Sequence, residues 1–509
     1  MKKIMKLLLS RLFLVGILII LQIVWLLVAF FHLSNYSVII RIFFTALSIF
    51  VALWIINKRD NPAYKLAWIV PILLMPLLGG LMYVAFGNKN PSRGMRRMLE
   101  REKARIWPSV KQDPKVIQTL ESVNMNVAGQ AKYLLRNGFP IYENSTARYF
   151  PSGEACYPVM LEELKKAKHY IFMEYFIVGD GVMWQGILDI LKEKVKEGVD
   201  VRFIYDDVGC VSLLPVHYYK QLEAVGIKCM AFNPFVPLFS LVMNNRDHRK
   251  ILVIDGHTAF SGGINLADEY INHIVRFGYW KDTAIMLRGE AVWNFTVMFL
   301  QTWNAFYHKK DENIAIYKPD VYIHKDYMDG FIQPYGDSPL DDEVVGESTY
   351  LNIINQASRY VYIFTPYLII DNEMMTALCL AAKRGVDVRI VTPAIPDKKM
   401  IFLLTQSYYE QLLENGVRIY EYTPGFIHAK NFVADDIIAT VGSINLDFRS
   451  LYLHFECGVY MYRTRAVMDA KKDALDTIRE SREITLADAR PGVIKGLFQA
   501  VLRVFAPLL

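Results

Sequence analysis

The chain opens with three long apolar runs, Leu12–Phe31, Val38–Ile56 and Leu66–Phe86. Each run is close to the roughly 20 residues that a helix needs to cross about 30 Å of hydrocarbon. The first run is too long for the apolar part of a signal peptide, and no small-residue cleavage site follows it. The runs therefore predict membrane helices, and three buried core helices are the less favoured alternative.

Basic residues flank these runs in three clusters, which bear on the orientation of the helices. The clusters are Lys2, Lys3, Lys6 and Arg11; Lys58, Arg59 and Lys65; and Lys89, Arg93, Arg96, Arg97, Arg101, Lys103 and Arg105. Three full crossings would put one cluster outside, against the tendency of basic loops to stay in the cytoplasm. Because the third run contains Pro71, Pro76, Gly79 and Gly80, we expect it to re-enter or to lie shallow. This arrangement leaves the body of the protein in the cytoplasm.

Beyond about residue 115, short apolar strands alternate with amphipathic helices, and the same order occurs twice. The segments that begin at Ala167 and Ala357 correspond, and the pentapeptide Gly-Val-Asp-Val-Arg at 198–202 recurs unchanged at 385–389. Ordered matches at a nearly constant offset indicate a duplicated domain. In each copy a helix that ends in glycine leads into an apolar strand, which predicts a parallel or mixed sheet covered by helices.

These patterns predict an α/β protein in four parts. We expect a membrane anchor with a basic juxtamembrane segment at 1–110, two tandem βα-sandwich domains at 111–315 and 316–485, and an amphipathic tail at 486–509. The two domains should be related by a pseudo-twofold axis. The tail carries Lys495, Gln499 and Arg503 on one narrow stripe, so it either lies in a membrane interface or caps the body.

Composition and charge support a membrane location. Of the 509 residues, 53% are hydrophobic and 21% are charged, which is more apolar than an ordinary soluble domain. Residues 1–110 hold 15 Lys and Arg against 3 Asp and Glu, whereas the other 399 residues hold 42 against 48. This polarity favours an anionic membrane surface near the N-terminus over a nucleic acid as partner. The five cysteines form no Cys-x-x-Cys pair, so neither a disulfide framework nor a zinc site is expected.

A His-x-Lys-x-x-x-x-Asp motif occurs once in each copy and is the main candidate for chemistry. Its residues are His248, Lys250 and Asp255 in the first copy and His428, Lys430 and Asp435 in the second. In a strand, residues i and i+2 face the same side, so each histidine should project beside its lysine. Asp255-Gly256 is typical of a hairpin turn, so Asp255 should lie at the end of its strand and brace backbone or a neighbouring residue. One such motif is commonly just a polar strand edge, but its duplication favours a functional site.

Pairing the two copies would bring two histidines and two lysines around one anionic centre. Two ammonium groups suit a phosphate, whose charge must be neutralised before a nucleophile can approach. Two imidazoles suit a double displacement, in which one attacks phosphorus and the other transfers protons. The sequence contains neither a P-loop nor a His-Glu-x-x-His motif, so we expect no metal and no cofactor.

Further polar residues recur after each motif, and we expect them to line the substrate site. They are Asn265, Asn445, Asp282 and Glu456. The asparagine amides can donate to a phosphate oxygen. Each acid can accept the Nδ1 proton of the histidine of its own copy and so fix the tautomer. The alternative for the acids is an ordinary solvated position on the surface.

Together with the segments at 245–250, 365–368, 425–430 and 441–450, these motifs resemble the phospholipase D superfamily, and more closely the bacterial cardiolipin synthases. The resemblance implies two phospholipase D-like domains and metal-free transfer of a phosphatidyl group between two phosphatidylglycerol molecules, giving cardiolipin and glycerol. It implies His248 as nucleophile and His428 as general acid and base, with the reverse assignment open. The third apolar run departs from the two membrane helices that are usual in much of the family.

The expected location is the bacterial cell membrane, with several passes and cytoplasmic catalytic domains. The expected partners are phosphatidylglycerol and anionic membrane lipids, without nucleic acid, and the oligomeric state is left open. The alternatives are a phospholipase D-type hydrolase, a nuclease, a phosphatidyltransferase with another alcohol acceptor, and a non-catalytic scaffold. The apolar segment Phe235–Met243 is either a lip through which lipid reaches the site or a buried loop.

Overall fold

A computed structural model describes residues 24, 28, 38–75, 79–80, 82–83, 87, 91–234, 245–308, 310–311, 313–319, 329–341 and 343–508. The first apolar run, apart from Val24 and Val28, lies outside these residues, and so does the predicted lip at Phe235–Met243. The second run forms a helix, and the described helix of the third run ends at Leu74.

The helices of the described residues are numbered α1 to α18 in chain order. They span Val38–Ile56, Pro62–Leu74, Arg93–Ile106, Pro114–Val123, Met125–Arg136, Gly153–Lys165, Val182–Lys196, Asp207–Cys210, Tyr218–Ala224, Val292–Phe306, Val345–Gln356, Asn372–Lys383, Lys399–Gln406, Tyr409–Glu414, Phe448–Tyr452, Arg465–Arg479, Leu486–Ala489 and Val493–Phe505. Short 3-10 turns lie at Trp107–Ser109, Asp268–Ile271, Ile314–Tyr317 and Ala506–Leu508.

The N-terminal helices α1 and α2 pack against each other across a short connection. Asn61 begins α2 by accepting the N–H of Ala63 at 2.9 Å. Pro62 suits the first turn, because the amide hydrogen it lacks would have no partner there. Within the described residues, no helix combines the length and the apolarity that a membrane crossing needs.

The basic segment after the third apolar run forms α3, which lies on the body of the protein. The buried side chains of Met95, Leu99 and Ile106 make up its apolar stripe, and α3 packs against α10. Its arginines lie on the exposed side. The helix therefore attaches the N-terminal part to the first copy of the repeat while presenting positive charge outward.

The first copy builds one mixed sheet of seven strands within the described residues. Strands β1 to β8 span Ser145–Phe150, Tyr170–Tyr175, Asp200–Asp206, Lys228–Phe232, Lys250–Ile254, Thr258–Gly262, Tyr279–Lys281 and Ala284–Gly289. The sheet order is β1-β8-β6-β5-β2-β3-β4, with β2, β3 and β4 parallel and the other pairs antiparallel.

The second copy repeats this order strand for strand. Strands β9 to β17 span Phe331–Asp337, Tyr360–Phe364, Asp387–Pro393, Arg418–Tyr422, Gly425–Ile427, Asn431–Ala434, Ile438–Gly442, Glu456–Tyr462 and Ser481–Ile484. The order is β9-β16-β15-β14-β10-β11-β12, with β17 added beyond β12. The predicted α/β fold with two similar domains is therefore confirmed. The repeated pentapeptide leads into β3 and β11. Its first residue, Gly198 or Gly385, follows the end of a helix and has a φ of 89° or 90°. Glycine enters this backbone region without strain.

The two copies share one apolar core and a small sheet of their own. The core includes Ile251 and Ile285 of the first sheet together with Val441 and Val459 of the second. The short strands β7 and β13, one from each copy, pair in parallel. The segments that carry the two motifs are thus fixed against the opposite copy.

Both motif aspartates occupy hairpin turns, of which the sequence predicts the one at Asp255. Asp255 has a φ of 50°, and its carboxylate accepts the backbone N–H groups of Lys168, His169 and Tyr170, each at 2.8 Å. Asp435 has a φ of 56° and binds the equivalent backbone at 358–360. Each side chain ties its hairpin to the start of the neighbouring strand, which is the bracing role that the turn position predicts. The motif includes these aspartates among the candidates for chemistry, and the structure gives both carboxylates backbone N–H groups as partners.

Replacing Asp255 with alanine should therefore lower stability rather than chemistry. The change leaves three backbone N–H groups without their anionic acceptor and puts alanine at a left-handed backbone position that aspartate tolerates better, at a cost of about 2–4 kcal/mol. The denaturant midpoint of the purified protein in micelles measures the loss. Asp255→Asn is the matched control, since it keeps one acceptor oxygen and tolerates this backbone, and should lose less. An unchanged midpoint together with lost turnover would contradict the structural role.

Candidate active site

The two motif histidines and lysines lie in the interior, at the join between the copies. His248 precedes β5 and Lys250 is its first residue, while His428 follows β13 and Lys430 precedes β14. All four side chains are buried. Each histidine and its lysine come from the same extended segment, as the spacing of two residues predicts.

Each histidine is hydrogen-bonded to the acid of the other copy. His248 Nδ1 lies 2.9 Å from both oxygens of Glu456, and His428 Nδ1 lies 2.6 Å from Asp282 Oδ2. The prediction that each acid serves the histidine of its own copy is therefore wrong. Asp282 and Glu456 bind the imidazoles, and this contact, rather than a contact with substrate, is the role that the structure gives them.

Backbone hydrogen bonds explain why the pairing crosses between copies. His248 N–H donates to the carbonyl of Phe455 at 2.9 Å, and His428 N–H donates to the carbonyl of Lys281 at 2.7 Å. Phe455 and Lys281 directly precede the two acids. The same reciprocal arrangement on both sides is what a pseudo-twofold relation between the copies produces.

Both acids are fully buried, which contradicts the alternative of solvated surface positions. Burial alone would raise the pKa of Asp282, but the adjacent His428 and Lys430 lower it overall. In the same way His248 outweighs burial and holds the pKa of Glu456 far below its ordinary value. Because a carboxylate can only accept, each histidine must carry its proton on Nδ1, which leaves a lone pair on Nε2.

Burial also sets the charge of the histidines. It lowers the pKa of His248 to about 3, with Glu456 opposing the shift. It lowers the pKa of His428 to about 4, assisted by repulsion from Lys430. Both imidazoles are thus neutral near pH 7 in the free protein, which is the state that a nitrogen nucleophile requires.

The two lysines supply positive charge beside the histidines. Each ammonium donates to the carbonyl oxygen of its own histidine, Lys250 to His248 and Lys430 to His428. Burial lowers the pKa of Lys250 to about 8. Burial and repulsion from Lys250 lower the pKa of Lys430 to about 7. An ammonium has three donors, so each lysine can bind its carbonyl and still donate to an anion.

The two asparagines differ, although the sequence treats them alike. Asn265 accepts the N–H of Ile177 at 3.0 Å and donates to the Tyr270 hydroxyl at 2.8 Å. Its oxygen and one amide hydrogen thus hold loops of the first copy, and the second amide hydrogen is left for the predicted donation to phosphate. Asn445 is buried, and its Oδ1 has no hydrogen-bond partner among the described residues. The predicted contact of both asparagines with substrate stays a prediction.

The sequence comparison missed the residues that make the two histidines unequal. His454 stands beside His248, with ring centroids 5.7 Å apart, and its Nδ1 is 3.8 Å from Glu456. At the corresponding position Trp280 stands 5.4 Å from the ring of His428. Both residues lie two positions before an acid, and this shared offset was the available signal. A comparison of the two copies by residue type does not detect this offset, because histidine and tryptophan do not match.

His454 also raises the question of a metal ion. Donor atoms of His248, His454 and Glu456 lie within 4.8 Å of one another. However, His248 Nδ1 already donates to Glu456, and Lys250 adds a positive charge that would repel a cation. The donor set therefore favours a hydrogen-bonded pair over bound metal.

Comparison with known proteins agrees with this geometry. A family model described as cardiolipin synthase, PLD-like domain, matches residues 160–275 and 350–476. A relative named cardiolipin synthase from Alkalihalophilus pseudofirmus is 34% identical, over 92% of this chain and 94% of its own. The chain belongs to the cardiolipin synthase family. The resemblance seen in the motifs is thereby confirmed.

Other members of the cardiolipin synthase family and one solved structure extend the comparison. A protein from Geobacillus kaustophilus, also named cardiolipin synthase, is 34% identical over 91% of this chain and 92% of its own. An uncharacterized protein from Streptococcus mutans is 47% identical over 90% of this chain and 99% of its own. The crystal structure of a phosphatidylserine synthase from Haemophilus influenzae covers 74% of this chain and 97% of its own, with a TM-score of 0.53 and 16% identity. That structure shares the fold. A model described as phospholipase D-nuclease N-terminal matches residues 46–88.

Removing the charge of either acid should nearly abolish turnover while the protein stays folded. In Glu456→Gln and Asp282→Asn the amide N–H can face Nδ1, which moves the imidazole proton to Nε2 and takes away the reactive lone pair. We expect kcat to fall by about 10²- to 10⁴-fold, measured on phosphatidylglycerol in mixed micelles. Glu421→Gln is the matched control, because this buried acid on β12 contacts Gln406 and Arg482 instead of a histidine. Turnover near wild type in both dyad variants would contradict the role.

The pKa values of the lysines predict a loss of activity on the alkaline side. Lys250 and Lys430 lose their charge as pH rises through about 8 and about 7, so kcat/KM, which reports the free enzyme, should fall over this range. The kcat profile should extend to higher pH, since bound phosphate stabilises both ammonium groups. In Lys430→Arg, which stays charged, the decline of kcat/KM caused by residue 430 should shift to higher pH. An alkaline decline of the same shape and midpoint in wild type and variant would argue against this assignment.

Proposed function

We propose that this protein is a membrane phosphatidyltransferase that makes cardiolipin and glycerol from two phosphatidylglycerol molecules. The observation that carries the proposal is the pair of buried histidine–carboxylate dyads, crossed between the copies, with a lysine beside each histidine. The names of the family members support the same reaction. Such a site suits transfer at a phosphodiester, because it combines a neutral nucleophile, a second proton carrier and two cations.

In the first step, one histidine displaces glycerol from phosphatidylglycerol. Its Nε2 lone pair forms a bond to phosphorus, and the bond from phosphorus to the glycerol oxygen breaks. The other histidine gives a proton to the departing oxygen. That histidine is neutral in the free protein, so its protonation must accompany the binding of substrate, whose negative charge favours an imidazolium nearby. Lys250 and Lys430 hold the phosphoryl oxygens.

In the second step, a glycerol hydroxyl of another phosphatidylglycerol attacks the phosphatidyl-histidine. The second histidine, now neutral, takes the hydroxyl proton as the new oxygen–phosphorus bond forms and the phosphorus–nitrogen bond breaks. Cardiolipin is released, and the proton is back on the second histidine. We assign His248 as nucleophile and His428 as acid and base, as the family resemblance implies. Glu456 and Asp282 keep each ring oriented throughout.

We further propose that the N-terminal segment holds the body at the membrane as a multi-pass anchor, with the catalytic domains in the cytoplasm. Exposed apolar side chains on α1, among them Ile42, Phe43 and Phe50, and the outward-facing arginines of α3 support attachment to an anionic bilayer. The division at 1–110, 111–315, 316–485 and 486–509 is retained as part of this proposal. The same dyads would catalyse hydrolysis if water replaced the lipid hydroxyl, so hydrolysis is the competing function.

The products from phosphatidylglycerol alone separate the transferase from the hydrolase. With protein in vesicles that contain labelled phosphatidylglycerol, we expect cardiolipin and free glycerol in near-equal amounts and little phosphatidic acid. A second lipid held at the site has an effective concentration that can exceed that of water. Phosphatidic acid as the main lipid product would support hydrolysis instead.

The same assay with His248→Asn and His428→Asn tests whether one histidine is the nucleophile and the other the proton carrier. Each variant should lose about 10²-fold or more of its turnover, and only the variant that lacks the nucleophile should fail to form phosphatidyl-histidine. Quenching in denaturant at mildly alkaline pH, which preserves the acid-labile phosphorus–nitrogen bond, and mass spectrometry of the histidine peptides detect that adduct. Substantial turnover in either variant would remove the basis for a two-histidine mechanism.

A further inference from the structure

The C-terminal helix α18 turns its polar side chains toward the protein. Lys495 Nζ donates to Gln406 Oε1 at 3.0 Å, and Gln499 Nε2 donates to the carbonyl of Leu403 at 3.0 Å. Gln499 is only 4% exposed. The polar stripe that the sequence analysis identified is therefore docked on α13.

Arg503, the third residue of the stripe, also contacts the protein. The guanidinium of Arg503 lies 4.6 Å from the ring centroid of Tyr408, which precedes α14. The side of α18 that meets the protein thus buries Gln499 and Leu502, with the partly solvent-exposed Lys495 and Arg503 contacting the protein beside them.

Five apolar side chains of α18 point away from the protein, whereas Leu502 is buried in the core. Val493 is 91% exposed, Ile494 86% and Leu497 70%, and Phe498 and Val501 are about half exposed. A helix that covers a domain in water buries its apolar stripe and leaves its polar face outside. In α18 these five side chains instead form a contiguous exposed apolar strip, which is unfavourable unless an apolar partner covers it.

The neighbours of α18 indicate which partner this is. α18 and the turn at Ala506–Leu508 both pack against α2. The side chains of Leu66, Leu73 and Leu74 on α2 are also exposed. The apolar strip of α18 therefore continues into the N-terminal helices, which we have proposed to lie at the bilayer.

We propose that α18 lies in the membrane interface with its apolar strip among the lipid chains, as a second attachment of the catalytic body. The inference rests on the membrane attachment proposed above and adds a separate contact at the opposite end of the chain. The turn at Ala506–Leu508 also packs against α15, which ends at Tyr452, two residues before His454. Insertion of α18 would thus fix the lipid surface relative to the segment that carries His454 and Glu456.

A fluorescent label on single introduced cysteines tests the position of α18 in the full-length protein. All five native cysteines are buried, so a surface cysteine can be labelled selectively with an environment-sensitive dye. Leu497→Cys probes α18, and Phe50→Cys probes α1. Val225→Cys, at an exposed position after α9 in the first copy, is the matched control. The labelled proteins are placed in vesicles of phosphatidylglycerol and phosphatidylcholine, with or without nitroxide on the acyl chains.

We expect the dye at positions 497 and 50 to emit at shorter wavelength and to be quenched by the nitroxide lipid, and the dye at 225 to show neither change. Quenching at 50 but a water-like dye at 497 would overturn the inference and leave the N-terminal attachment intact. A shifted dye at 497 that lipid nitroxide does not quench, and that self-quenches as protein density rises, would identify a second copy as the partner and also overturn it.

A functional measurement is independent of the dye. Leu497→Glu combined with Val501→Glu should lower turnover on phosphatidylglycerol vesicles severalfold, because charged side chains resist insertion among lipid chains. Turnover on a short-chain, monomeric phosphatidylglycerol should remain at the wild-type level, since neither residue belongs to the site. The paired alanine variant should lie between the two. Equal turnover of the glutamate variant and wild type on vesicles would count against the inference.

Discussion

The site depends on one reciprocal interaction, in which each histidine is held by the copy of the domain to which it does not belong. A backbone hydrogen bond joins His248 to Phe455 and His428 to Lys281, and each imidazole then meets the acid that follows. Neither copy could assemble a complete dyad alone. The duplication is therefore a requirement of the site, and the shared apolar core that holds the sheets together also holds the reactive groups in register.

Burial gives these groups their chemical character. Removal from water keeps both imidazoles neutral and makes the two ammonium groups costly to maintain, so that an anionic ligand is favoured beside them. The carboxylates of Glu456 and Asp282 remain charged because each has a histidine and a lysine close by. The site of the free protein therefore favours binding of a phosphodiester. The negative charge of the phosphodiester would stabilise both ammonium groups and favour the protonated state of one histidine.

The pseudo-symmetry is incomplete, and the differences lie close to the histidines. His454 accompanies His248 where Trp280 accompanies His428. Ser443 donates to Glu456, whereas at Gly263 a side chain would collide with Asp282. Asn265 is bound within its own copy, whereas the Oδ1 of Asn445 has no hydrogen-bond partner in the described part of the chain. Two histidines in an exchange reaction must act differently, and these neighbours are the structural means by which equivalent motifs can take different roles.

The sequence by itself determined the α/β class, the duplication, the pairing of each histidine with the lysine two residues on, and the turn position of Asp255. These follow from periodicity and from local spacing, which a single strand or turn enforces. Only the tertiary structure decided that Glu456 serves His248 and Asp282 serves His428, because that pairing depends on how distant segments pack. It also decided the orientation of α18. An amphipathic pattern reveals two faces of a helix, but which face meets the protein depends on the surface on which the helix lies.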